Sequence, residues 1–201
     1  SWQEGNLEIH HINVGQGDST LIVSPAGKSL LFDVGATSVG DYVNDVLGCR
    51  KLDYVVISHF HDDHVGSVGS GGLWDLVENQ GYTITQTILR DYNNYVGDKD
   101  LSSWKTYIEG SGAAKLNPVN AVEGTTQIDL GGDVVVNILT VNGNGVIKQG
   151  NFSTVSENDY SLGFLLSYHD FDEWLAGDLD GEMSGNYHDI ETSAAAEVGD
   201  V

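Results

Sequence analysis

Apolar positions in this chain come in short runs separated by glycine- and aspartate-rich turns. Residues 7–14 form a β-rich alternating run and 19–24 a second run after a Gly-rich turn. Pro25-Ala26-Gly27 then turns the chain into a third run at 29–34. Residues 39–47 read as a short helix closed by Gly48. Residues 53–58 are a continuous apolar run, as expected of a strand covered on both faces. Further on, 73–80 and 100–110 predict helices, the second carrying Trp104 and Tyr107, with a strand at 87–90 between them. Residues 133–141 predict a strand and 142–156 a polar, Gly-rich surface loop. Residues 161–168 and 173–176 predict a hairpin turning at 169–172, and the tail at 181–198 has helical composition. Strands toward both ends with helices interspersed predict an α/β sandwich, not a doubly wound parallel sheet. No internal repeat or composition shift divides the chain, so residues 1–201 read as one domain.

Composition narrows the classes. Of the 201 residues 40% are hydrophobic, enough to bury a real core. Thirty acidic residues against 8 basic ones leave a net charge of −22. That argues against a protein that wraps duplex DNA or lies on anionic lipid, both of which need a basic face. It favours a very soluble protein adapted to salt or secreted, and hence an extracellular or cell-surface location. The single cysteine, Cys49, excludes an internal disulfide and a cysteine-based zinc cluster. No apolar run approaches the roughly 20 residues that span a bilayer. A chain that starts at Ser1 reads as a mature or trimmed form.

The densest chemistry follows the buried run: Ser58-His59-Phe60-His61-Asp62-Asp63-His64. Alternation puts His59 and His61 on one side of an extended segment. A turn after them brings Asp63 and His64 to a second point nearby. Imidazole nitrogens with carboxylate oxygens suit Zn²⁺ first, with Mn²⁺ or Fe as alternatives. A polar surface loop would not concentrate four such donors at a strand end.

His59-x-His61-x-Asp63-His64, with the preceding strand and Val65-Gly66-Ser67-Val68-Gly69 after it, resembles the metal-binding signature of the metallo-β-lactamase-fold superfamily. Asn13-Val14-Gly15-Gln16-Gly17-Asp18-Ser19 and Leu31-Phe32-Asp33-Val34-Gly35 resemble the hydrolase domain on ComEC-type DNA-uptake channels. The secreted phosphorylcholine esterase of pneumococcal cell walls is similar over the same blocks. The resemblance implies an αββα sandwich. It also implies that Asp178, in Ala176-Gly177-Asp178, bridges two metals, one held with His59 and His61 and the other with Asp63 and His64. Alone, that segment reads first as a turn, since Asp-Gly pairs are turn formers. Asn158-Asp159 stand by position where many members have a further histidine, as a weak ligand or a donor to substrate oxygen. His10 and His11 read as structural, and Asp18 and Asp33 as residues that orient the histidine loop.

A dinuclear centre of this kind would supply a metal-bridging hydroxide as nucleophile, with Asp63 shuttling a proton, and the branch resemblance implies phosphodiester bonds as substrate. A lactone, thioester or β-lactam hydrolase, and a non-catalytic metal-binding module, are the competing expectations. The charge favours a small phosphodiester or a cationic head group over a long polyanion. The family's further histidine after the bridging aspartate has no counterpart here. His188 comes too early to match, and the chain reaches Val201 where another strand is expected. The expectation is therefore an αββα sandwich truncated in its C-terminal half, with a further chain segment or domain, and with metal 2 short of ligands unless His188 folds back to supply one.

Overall fold

The computed structural model describes residues 1–148 and 155–199. Two sheets stack face to face. The first has six strands in sequence order: β1 (Glu8–His11), β2 (Thr20–Val23), β3 (Ser29–Phe32), β4 (Lys51–Val56), β5 (Thr83–Leu89) and β6 (Pro118–Asn120). β1, β2 and β3 pair antiparallel, and β3 to β6 pair parallel. The second sheet is an antiparallel meander of β7 (Thr125–Asp129), β8 (Val135–Thr140), β9 (Gly163–Tyr168) and β10 (Phe171–Leu175). Helices α1 (Gly40–Leu47), α2 (Asp62–Val65), α3 (Gly72–Glu78), α4 (Ser102–Glu109) and α5 (Ala113–Leu116) lie in the crossovers, and α6 (Glu191–Val198) follows the second sheet.

The continuous apolar runs of β2, β3 and β4 split by strand periodicity into two cores. Leu21, Val23, Leu31 and Val55 face a helical layer containing Val43, Leu73, Trp104 and Tyr107. Their neighbours Ile22, Leu30, Phe32 and Val56 face Val136, Ile138, Phe164 and Leu166 of the second sheet. Phe32 and Phe164 meet edge to face at 5.3 Å between ring centroids. On the far side of the second sheet α6 packs against β8. The layers are thus α/β/β/α, the sandwich the sequence predicts.

Differences from the predicted elements have local causes. β6 and β7 carry a proline, an asparagine, a glutamine and an aspartate, which hide their strand character. The tail is helical only from Glu191, because the Asp180 carbonyl accepts the Ile190 and Glu191 N–H groups and holds the preceding segment in turns. The hairpin turns at His169 and Asp170 alone, with Phe171 already paired to Tyr168 and His169 in the left-handed region at φ 54°. The predicted loop at 142–156 runs through turns to residue 148, and 149–154 lie outside the described residues. Among the described residues no helix is long and apolar enough to cross a membrane.

Candidate metal centre

Parallel strands deliver their C-terminal ends to one edge of the sheet, and that edge carries the chemistry. Asp33 follows β3, and Ser58 to His61 follow β4. Asp178 follows β10 from the second sheet. Gly177 makes that approach possible: its φ is +56°, and a Cβ there would fall 2.5 Å from Ser58 Oγ. Gly17 does the same for the loop ahead of β2, where a Cβ would run into the Asp63 carbonyl oxygen. That contact gives the Gly-Gln-Gly-Asp run a physical reason. It seats Gln16, whose Nε2 donates to Asp63 Oδ2 at 2.9 Å.

His59, His61, His64 and Asp178 converge. His59 Nε2 lies 3.0 Å from His61 Nδ1 and 4.0 Å from Asp178 Oδ2. His64 Nε2 lies 3.2 Å from Asp178 Oδ1. The Asp178 carboxylate therefore turns one oxygen to each histidine group. Asp63 stands at the edge of the second group, with Oδ1 4.0 Å from His64 Nε2. Asp18, read from the sequence as an orienting residue, joins that group as a possible donor: one atom each of Asp18, His64 and Asp178 falls within 4.8 Å of the others.

The tautomers are set from behind. Asp33 is wholly buried and accepts from the Ser58 N–H at 2.7 Å, the Ser58 hydroxyl at 2.6 Å and His64 Nδ1 at 2.9 Å. The Ser58 hydroxyl spends its one proton on Asp33, so it accepts from His59 Nδ1 at 2.9 Å. Both rings then carry their protons on Nδ1 and direct Nε2 into the site, as metal-binding histidines do when the other ring nitrogen donates to a fixed acceptor. Burial, followed by the neighbouring His64 and His61, holds His59 well below its usual range, so its lone pair is free. Burial alone would lower His64, but hydrogen bonds with Asp178 and Asp33 carry it up to about 10. The hydrogen bond from His64 holds Asp178 below the usual carboxylate range. Burial pushes Asp33 up, opposed by His64 and Ser58. The donor set fits divalent cations: imidazole nitrogens with fixed tautomers, and a carboxylate able to serve two positions. At the second group a cation would take the place of the His64 Nε2 proton.

Asp63 and Asp178 open onto a cleft of about 540 Å³ whose wall also includes Gln16, His61, Asp62 and Lys99. Lys99 pairs with Asp62 at 3.1 Å. A groove of similar size at the other end of the hairpin, lined by Leu7, Ile9, Tyr168 and Phe171, has no histidine in its wall.

Asn158 and Asp159 lie in a 3₁₀ turn, Asn158–Tyr160. The Asp159 carboxylate is buried and accepts both the His188 backbone N–H at 3.0 Å and His188 Nδ1 at 2.8 Å. His188 thus folds back onto Asp159 and is absent from the clustered donor groups. Asn158 Oδ1 is buried without a partner. His10 bonds to Glu8 beside it on β1 and to Tyr42 of α1, and His11 to Thr20 of β2. Sequence reasoning missed a buried ion pair between Arg90 and Glu157 behind the histidine loop. Its signal was an arginine closing an apolar strand in a chain with 8 basic residues.

A family model described as the metallo-beta-lactamase superfamily matches residues 12–83. Ribonuclease Z of Clostridium novyi (strain NT) is 23% identical over 176 residues, 84% of this chain and 55% of that protein. Ribonuclease Z of Nanoarchaeum equitans (strain Kin4-M) is 30% identical over 114 residues, 56% of this chain and 33% of that protein. The chain thus spans about half or less of these relatives. The solved structure of CmlA, a diiron beta-hydroxylase from Streptomyces venezuelae, superposes with a TM-score of 0.50 at 12% identity, covering 87% of this chain and 30% of that one. At that identity the likeness speaks to the fold alone. Family model and fold together support the metallo-beta-lactamase superfamily.

Proposed function

We propose that this chain is a metal-dependent hydrolase that cleaves phosphodiester bonds at a dinuclear centre. The observation that carries the reading is Asp178, which presents one oxygen to the His59 side and the other to the His64 side. His59, His61 and Asp178 would hold one divalent cation, and Asp63, His64 and Asp178 the other, with Asp18 beside the second. Zn²⁺ is the first choice for these donors, and Mn²⁺ or Fe the alternatives. Bound there, the cations supply an acidified water as nucleophile and positive charge against the oxygen of the scissile bond.

The chain's own residues do the rest. Asp33 and Ser58 fix the imidazoles, so no reorganisation is needed when substrate arrives. Asp63, oriented by Gln16, faces the cleft and is placed to pass a proton to the leaving group. Asn158 brings an unpaired buried amide oxygen, and Asp159 orients His188.

Two relatives named as ribonucleases support a phosphodiester as substrate. The net charge of −22 and a cleft walled by Asp62, Asp63 and Asp178 favour a small diester or a cationic head group over a long polyanion. That preference suits the phosphorylcholine-esterase resemblance better than the ComEC-type one. The test is a substrate panel on protein stripped with chelator and reloaded with Zn²⁺ or Mn²⁺. Metal-dependent turnover of bis(p-nitrophenyl) phosphate, without turnover of nitrocefin or p-nitrophenyl acetate, is expected. The reverse pattern would hand the site to the lactam and ester chemistry, and inertness to all three with metal bound would indicate a binding module.

A further inference from the structure

We infer that the buried Arg90–Glu157 pair positions the metal centre, with Glu157 holding the peptide N–H of Phe60 and so fixing His59 and His61 relative to one another. The inference rests on the proposed metal centre. Both side chains are fully buried. Glu157 Oε1 accepts from Arg90 Nε at 2.7 Å and from the Phe60 N–H at 3.0 Å, while Oε2 accepts from Arg90 Nη2. Arg90 Nη1 donates to the Tyr95 carbonyl at 2.7 Å. The guanidinium lies 5.4 Å from the Phe60 ring centroid and 5.0 Å from that of Tyr160.

Phe60 is the residue between the two histidines. Its N–H belongs to the peptide that joins it to His59, so an acceptor fixed there sets the plane of that peptide and the directions of the side chains on either side. The acceptor is itself locked. The Glu157 N–H donates to Asp98 Oδ1 at 2.9 Å, and the Arg90 fork removes the carboxylate's freedom to turn. The same segment ties to the loop again where the Leu162 N–H donates to the Ser58 carbonyl at 2.8 Å.

A buried ion pair is a poor device for stability, because desolvation offsets its attraction and an apolar pair of similar volume does as well or better. This one closes on the ligand loop. It spans from the end of β5 to the 3₁₀ turn across 67 positions of sequence, and it satisfies a buried donor that would otherwise be orphaned. Its place fits a role in metal binding better than a role in folding.

The test uses the full chain, stripped of metal and titrated with Zn²⁺ against a chromophoric chelator, then with Co²⁺ to read ligand-field absorption. Arg90→Met/Glu157→Met removes the pair without leaving a lone charge and takes the acceptor from Phe60. Arg90→Met/Glu157→Gln removes the charges but keeps a side-chain carbonyl for Phe60. The first variant should bind Zn²⁺ about 10–100-fold more weakly, the usual cost of losing an outer-shell partner, with a changed Co²⁺ spectrum. The second should recover most of the affinity and the wild-type spectrum. Equal affinity and spectrum in Arg90→Met/Glu157→Met and wild type would overturn the inference while leaving the metal centre standing. If that variant does not fold, a loss of about tenfold or more in Arg90→Met/Glu157→Gln would overturn it instead, since the acceptor is still present. Wild-type protein that takes up no metal would overturn both the inference and the reading beneath it.

Discussion

Asp33 holds the site from behind the cleft. It is the common acceptor for the Ser58 hydroxyl and His64, and through Ser58 it sets the tautomer of His59 as well. It does so at φ 53°, a left-handed conformation that asparagine also tolerates. Asp33→Asn should therefore fold, yet offer an amide where two donors expect a carboxylate. Zn²⁺ affinity, measured by chelator competition, should fall about 10–100-fold. Unchanged affinity would mean that the histidines are held by something else. The histidine motif was legible because its donors are contiguous in sequence. Asp33 was legible as a strand-end carboxylate near the loop, but its two-histidine role was not, since Ser58 as an intermediary is visible only in three dimensions. The Arg90–Glu157 pair and the Asp159–His188 contact were hidden for a plainer reason. They join residues 67 and 29 positions apart, and no local pattern reports a partner at that distance.

Elements were legible where a period or a cap spoke for them. Helix α1 ends at Gly48, whose φ of 69° and N–H bond to the Asn44 carbonyl are the features that a terminal glycine implies. β2, β3 and β4 were found because continuous apolar runs admit little else, although the same runs do not say which residue faces which layer. β6 and β7 escaped because they are short and polar and lie at sheet margins, where burial imposes no pattern. The inner face of β9 is the best place to test the two-sheet packing. Leu166 is fully buried among β8 and first-sheet side chains. Leu166→Ala should destabilise the protein by about 2–5 kcal/mol in urea unfolding, with metal affinity in the folded protein unchanged. A cost below about 1 kcal/mol would mean that the sheets do not form a close-packed core there.

The whole molecule is an acidic body with its candidate centre on one edge. Of the layered architecture, the order of the sheets and the site's place at strand ends follow from the connectivity, while the crossing of Asp178 from the second sheet follows from the packing alone. A net charge of −22 repels itself and repels polyanions. Thermal stability should rise with added NaCl as screening sets in, measured by melting between low and roughly 0.5 M salt. A melting temperature that fell with salt would show that attractive ion pairs outweigh the net repulsion. Above these stands the claim that one carboxylate serves two metals, and metal content per chain tests it most directly. Wild-type protein reloaded with Zn²⁺ and freed of excess should retain two ions per chain by elemental analysis. Asp178→Ala should retain fewer and lose hydrolysis of bis(p-nitrophenyl) phosphate, with its circular dichroism unchanged. Wild-type protein that holds no metal, or an Asp178→Ala variant that holds two and turns over normally, would contradict the account.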